Sequence, residues 1–131
     1  MFYELKVKVT RENAKGEPKQ VSEHYIMDCE LFAEVEAKAF EEFGNDADVF
    51  FIARSKIKEI INQKEICNPF FKATVVDVIT DDEGEEKELK EVVLVCAKDI
   101  ADATKKMEEY LRQGFNMKLD CIVKTKILDL L

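Results

Sequence analysis

Basic side chains recur at alternate positions of several strand-like segments: Lys6 and Lys8 in FYELKVKVT, Arg54 and Lys56 in FFIARSKIK, Lys124 and Lys126 in LDCIVKTKIL. Successive side chains of a β-strand point to opposite faces, so residues two apart share a face. With Phe2 and Phe70 at matched positions and His24 nearby, a face of this kind can hold an anion. Single-stranded nucleic acid is the foremost candidate, because bases stack on rings while lysine and arginine follow the phosphates. The same alternation places Tyr3, Leu5, Val7, Tyr25, Met27 and Ile57 under helices. It adds Lys58, Lys72 and Lys90 to the open face, opposed chiefly by Glu4 and Asp28. Ile26, Ile52, Val76, Val92, Leu94 and Ile122 fall there too, an apolar component that suits a homodimer or another protein packed on the sheet. Lysines on a solvated strand face are also ordinary, and on edge strands they deter aggregation. Solvated face, anion site and protein interface therefore stay open as readings.

Other chemistry finds no residues to carry it. The glycines (Gly16, Gly44, Gly84, Gly114) are isolated turn or cap residues and form no phosphate loop. His24 is the one histidine, so neither a nucleophile with its base nor a zinc site can be assembled from the usual ligands. The acidic run from Asp81 to Glu88 lacks the spacing of a calcium loop and reads as a solvated hairpin tip. The expectation is a non-enzymatic protein with no catalytic residue, cofactor or metal.

These residues are positioned by a unit used twice. Residues 2–43 overlay residues 70–111 at a constant offset, with nine identities in 42 positions (Phe2/Phe70, Val7/Val75, Gly16/Gly84, Glu17/Glu85, Lys19/Lys87, Glu23/Glu91, Ala33/Ala101, Lys38/Lys106, Glu41/Glu109). About three would arise by chance. After two extra residues in the second copy, IARSKIKEII overlays IVKTKILDLL. Period-2 alternation predicts strands over 2–10, 21–29 and 50–58, then 70–79, 89–97 and 119–128. Helical periodicity predicts helices over 31–43 (Phe32, Val35, Ala39, Phe43) and from Asp99, its N-cap, to Leu111 (Ile100, Ala103, Met107, Leu111). Gly44 and Gly114 end them. Each copy reads ββαβ. The expected fold is α+β, a two-layer sandwich with pseudo-twofold symmetry: one mostly antiparallel sheet of six strands with two helices on one face. One domain over 1–131 is expected, built from repeats 2–61 and 70–131 with 62–69 as linker.

Composition sets the class. Apolar residues make up 47% and aromatics 9%, as in a folded globular protein. No apolar run is long enough to span a membrane, and the opening MFYELKVKV carries no leader pattern. Cys29, Cys67, Cys96 and Cys121 share no CxxC spacing and read as buried reduced thiols, which points to the cytoplasm. The net charge of −8 favours solubility and on its own argues against nucleic acid, unless the charges segregate onto separate faces.

The stretch MDCELFAEVEAKAFEE resembles the pattern V-D-A-x-S-F-T-E-A-E-A-x-x-x-E-E of an uncharacterised domain family found chiefly in Bacteroidetes and their phages and mobile elements. VLVCAKDIADATKKMEE resembles that family's second such segment, and Phe2-Tyr3 and Phe70-Phe71 its opening aromatic pairs. The chain departs in having no Trp and in placing Leu31 where the family has a helix-capping Ser. The resemblance covers nearly the whole chain and implies a cytoplasmic accessory protein, phage-encoded in some settings. It transfers no catalytic or binding residue. Beside the anion-binding reading it keeps a second: a protein-interaction module, a homodimer or a phage-encoded modulator of a host protein.

Overall fold

The computed structural model describes residues 1–61, 69–113 and 117–131. The alternating segments form eight strands: β1 (Phe2–Glu12), β2 (Pro18–Asp28), β3 (Asp48–Arg54), β4 (Ile57–Ile61), β5 (Phe70–Thr80), β6 (Glu86–Cys96), β7 (Met117–Lys124) and β8 (Ile127–Leu130). Two helices interrupt them, α1 (Phe32–Phe43) and α2 (Ile100–Leu111). The α+β class and the duplicated unit are as expected. The count of six strands is not, because the last strand of each copy breaks in two, at Ser55-Lys56 and at Thr125-Lys126. At each break a backbone N–H makes the last bond of the antiparallel ladder, to a carbonyl at the start of the copy, before the chain leaves that sheet: Ser55 to Phe2 at 2.8 Å, Thr125 to Phe70 at 3.0 Å.

The pieces after the breaks change sheets. One sheet has the order β3-β1-β2-β8 and the other β4-β6-β5-β7. β4, from the first copy, pairs parallel with β6 of the second, and β8 pairs parallel with β2 of the first. The remaining pairs are antiparallel, so both sheets are mixed. The compact units are consequently 1–55 with 126–131, and 56–125, rather than the sequence repeats 2–61 and 70–131. Of the linker expected at 62–69, only Pro69 lies within the described residues.

In the first unit β1 and β2 turn toward α1 the apolar residues Tyr3, Leu5, Met27 and Cys29, which meet Val35 and Ala39 of the helix. Leu131 reaches this core from beyond β8. In the second unit Phe71, Ala73, Val75, Val93 and Val95 meet Ala103 and Met107 of α2. The Tyr110 hydroxyl of α2 donates to Glu59 of the exchanged β4 at 2.7 Å. Desolvation, then that bond, pushes the Tyr110 pKa up to about 12. Among the described residues no helix is long and apolar enough to cross a membrane.

The helix starts differ as their residues dictate. Asp99 accepts the N–H of Asp102 at 2.8 Å, whereas Leu31 offers no side-chain cap to α1. Asp99→Ala should cost about 1 kcal/mol and Leu31→Ser should gain a comparable amount, read as shifts in a denaturant midpoint. Gly44 closes α1 at φ +64°, donating its N–H to the Phe40 carbonyl. Gly114 lies outside the described residues.

Candidate anion-binding face

Register decides which side chains share a face. Lys6 stands opposite His24 on β2 and Phe51 on β3, all on the side of the sheet away from α1. Leu5 is paired with Ile52, and Val7 with Val49, on the helix side. Between these pairs the register slips, leaving Phe50 as an extra residue on β3. Such a bulge re-aims side chains. Here two consecutive phenyl rings remain exposed, Phe50 at 45% and Phe51 at 38%, on an edge strand. Lys6 Nζ sits 4.7 Å from the centroid of Phe51, and Lys8 Nζ sits 5.0 Å from that of Phe50. A cation over a ring is worth about 0.5–1 kcal/mol at such an exposed site, enough to restrict both partners. Neither lysine is held in an ion pair among the described residues.

The second unit repeats the backbone device but not the chemistry. Its bulge falls on Asp120, between the pairs Thr74–Cys121 and Val75–Leu119. Thr74 and Val76 stand where the first copy has Lys6 and Lys8, and Asp120 and Cys121 where it has Phe50 and Phe51.

His24 lies within this basic surround. Desolvation first, then the charges of Lys6 and Lys126, hold its pKa below the ordinary 6.5, with Glu4 opposing. A lowered folded pKa means the neutral ring is favoured. The associated stability is present above pH 6.5 and is lost as pH falls through the folded value. An NMR titration should place the His24 midpoint below 6.5. Lys6→Gln should raise it, and a bound polyanion should raise it further.

The expected site residues divide. Phe2, Lys6 and Lys8 occupy the face away from α1, Phe2 and Lys6 half-buried and Lys8 exposed. Lys126 is exposed in the turn before β8 and contributes charge to this unit. Arg54 is exposed but pairs with Tyr3, which puts it on the helix side. Lys124 pairs with Phe71 and lies on the helix side of its own sheet. Lys56 and Lys124 belong to the second unit. Phe70, expected as a stacking ring, is only 2% exposed and offers no face to a ligand.

The misassigned faces share one kind of cause, since alternation assigns faces only along an unbroken strand. Ile57, expected under a helix, lies beyond the break at Ser55-Lys56, on a strand of the other sheet, where it stands opposite Val92 on the side away from α2. Ile52 and Ile122 follow the bulges at Phe50 and Asp120 and pack in the helix-side cores. Ile26 and Leu94, each 1% exposed, present no open apolar patch. Cys29 and Cys96 are buried as expected; Cys121 is exposed, and Cys67 lies outside the described residues.

Phe50 and Phe51 were not among the residues expected to bind. The signal was the run Val49-Phe50-Phe51-Ile52, in which strict alternation cannot bury every member without a bulge. A cavity of about 420 Å³ on the helix side is lined by Arg11, Tyr25 and Glu42, among others. It is a weaker anion site, because Arg11 already donates to Glu23 at 2.7 Å.

No curated protein and no solved structure matches the chain. A family model described as a domain of unknown function (DUF4494) matches residues 1–131, and the chain belongs to that family.

Proposed function

We propose that this is a non-enzymatic binding protein whose first unit holds an anionic partner, most directly single-stranded DNA or RNA. The surface would be the β3 edge of the β3-β1-β2-β8 sheet, on the side away from α1, where Lys8, Phe50 and Phe51 are exposed. One observation carries the reading: two exposed phenyl rings, each with a lysine ammonium within 5.0 Å of its centroid, present in the first copy and replaced in the second. Rings of that exposure supply stacking, and the adjoining ammonium groups supply phosphate contacts. Lys126 and the half-buried Phe2 and His24 would flank the bound strand.

Segregation of charge reconciles this with a net charge of −8. In the first unit Glu34, Glu36, Glu41 and Glu42 lie on α1, on the other side of the sheet from Lys6 and Lys8. Reduced thiols at Cys29, Cys96 and Cys121 support a cytoplasmic setting, and the family likeness supports a bacterial or phage-encoded accessory protein of Bacteroidetes.

The test is light scattering of the protein with and without a labelled single-stranded oligonucleotide, at low and high salt. Binding that is present at low salt and falls steeply as salt rises supports the proposal. A salt-indifferent dimer that takes up no oligonucleotide defeats it.

A further inference from the structure

The outer side of α1 carries a pattern that the basic face does not use and that touches the core only in part, where the Phe32 ring meets Tyr3 edge-on at 6.2 Å. Phe32, Glu36 and Phe40 follow one another at four-residue spacing and so form one stripe along the helix. Phe32 is 46% exposed and Phe40 62%, while the adjacent stripe, Val35 and Ala39, is buried. Beside Phe40 a groove of about 360 Å³ runs between the helix and β3, floored by Ala39, Val49 and Ile52, with Glu36 at its rim. Within Phe32–Phe43 four glutamates stand against one lysine, and the last turn holds no basic residue. The second copy has Thr104 and Glu108 where the first has Glu36 and Phe40, so its helix lacks this stripe.

An exposed phenyl over an apolar groove, with the Glu36 carboxylate at its rim on a helix of four glutamates and one lysine, complements a segment of opposite charge that brings apolar side chains of its own. We infer that the outer face of α1 docks a basic amphipathic helix of a partner protein. An apolar side chain of that helix enters the groove beside Phe40, and a lysine or arginine meets Glu36. This surface is independent of the nucleic-acid reading, which concerns the other side of the same sheet.

The probe is a synthetic leucine/lysine peptide of about 14 residues with helical apolar spacing, read by fluorescence anisotropy. Two controls accompany it: a scrambled leucine/lysine peptide of equal composition, and a leucine/glutamate counterpart. The amphipathic basic peptide should bind, and each control should bind at least about tenfold more weakly. Phe40→Ala and Glu36→Lys should each weaken binding by about tenfold or more. Phe40 is mostly exposed and Glu36 is exposed, so neither change threatens the core, and circular dichroism checks this. A double reversal at the acidic hairpin, Asp82→Lys with Glu83→Lys, alters net charge more than Glu36→Lys does and should change binding by less than about twofold. Equal binding of the scrambled peptide, or an equal loss in the hairpin variant, reduces the effect to bulk charge and overturns the inference. No binding by the amphipathic peptide overturns it as well. Concentration-dependent self-association lost in Phe40→Ala would make the occupant a second copy, and that too overturns the basic partner.

Discussion

Reversing Lys6 and Lys8 together to glutamate is expected to abolish binding of a single-stranded oligonucleotide, by about a hundredfold or more at low salt. Two cations of the proposed site become anions on a face that also carries Glu4 and where His24 is held toward neutrality. Each lost phosphate contact should also lower the salt slope by about 0.7 for a single strand, so the residual binding should be flatter in salt. The reversal should leave the fold nearly as stable, because Lys8 is exposed, Lys6 is half-buried and each loses only a surface cation–ring contact. Removing the rings separates stacking from charge. Phe50→Ala and Phe51→Ala should each cost about 1–3 kcal/mol of binding while leaving the salt slope unchanged. Lys38→Glu, on α1 and so on the other side of the same sheet, should matter by less than about twofold in ordinary salt. If Lys38→Glu is as damaging as the change at Lys6, the binding is diffuse and the cluster is not its site.

Deleting residues 127–131 is expected to destabilise the first unit, although these residues come from the second copy. The deletion strips β2 of its parallel partner at His24 to Ile26 and removes the bond from the Leu131 N–H to the Ile26 carbonyl at 2.8 Å. It also exposes core now covered by Ile127, itself 8% exposed, and by Leu131. A nearly fully buried aliphatic side chain contributes about 1.5–3 kcal/mol, so with the half-buried Leu131 the loss should be about 3–4 kcal/mol. Hydrogen exchange should show protection falling in β1 and β2 before β5 and β6, because the second unit keeps its own exchanged strand β4. Loss confined to β5–β7 would contradict the strand exchange. The reciprocal position gives a further check, since Ile57 and Ile60 of β4 are 8% and 5% exposed beside β6.

The duplication, both helices with Val35 and Ala39 or Ala103 and Met107 turned inward, the Asp99 cap, the missing cap at Leu31 and the tight turns at Gly16 and Gly84 were legible in the chain. Phe32 and Ile100, expected in the same stripes, are instead 46% and 56% exposed, because each sits at the first turn, at the margin of its core. Apart from the duplication, each legible feature rests on neighbours within about a dozen residues: alternation, helical spacing, or a glycine taking positive φ. The two hairpin tips show how local this is. Asn13 and Asp81, equivalent in the repeat, each accept two backbone N–H groups from their own loop, so the Asp81 carboxylate in the acidic run serves the turn. What the chain alone did not reveal depends on residues far apart in sequence. Period-2 alternation assigns a face only while the strand stays regular, because a one-residue slip moves every later side chain to the other side. The slips at Phe50 and Lys58, and the breaks at Ser55-Lys56 and Thr125-Lys126, become visible only against the partner strands. Tertiary pairing therefore moved Arg54 and Lys124 off the expected face, buried Phe70, and sent β4 and β8 to the other copy's sheet. The same bulge left Phe50 and Phe51 exposed beside Lys8 and Lys6. The sequence determined the elements and the supply of charge; the register between distant strands decided which charges meet which rings.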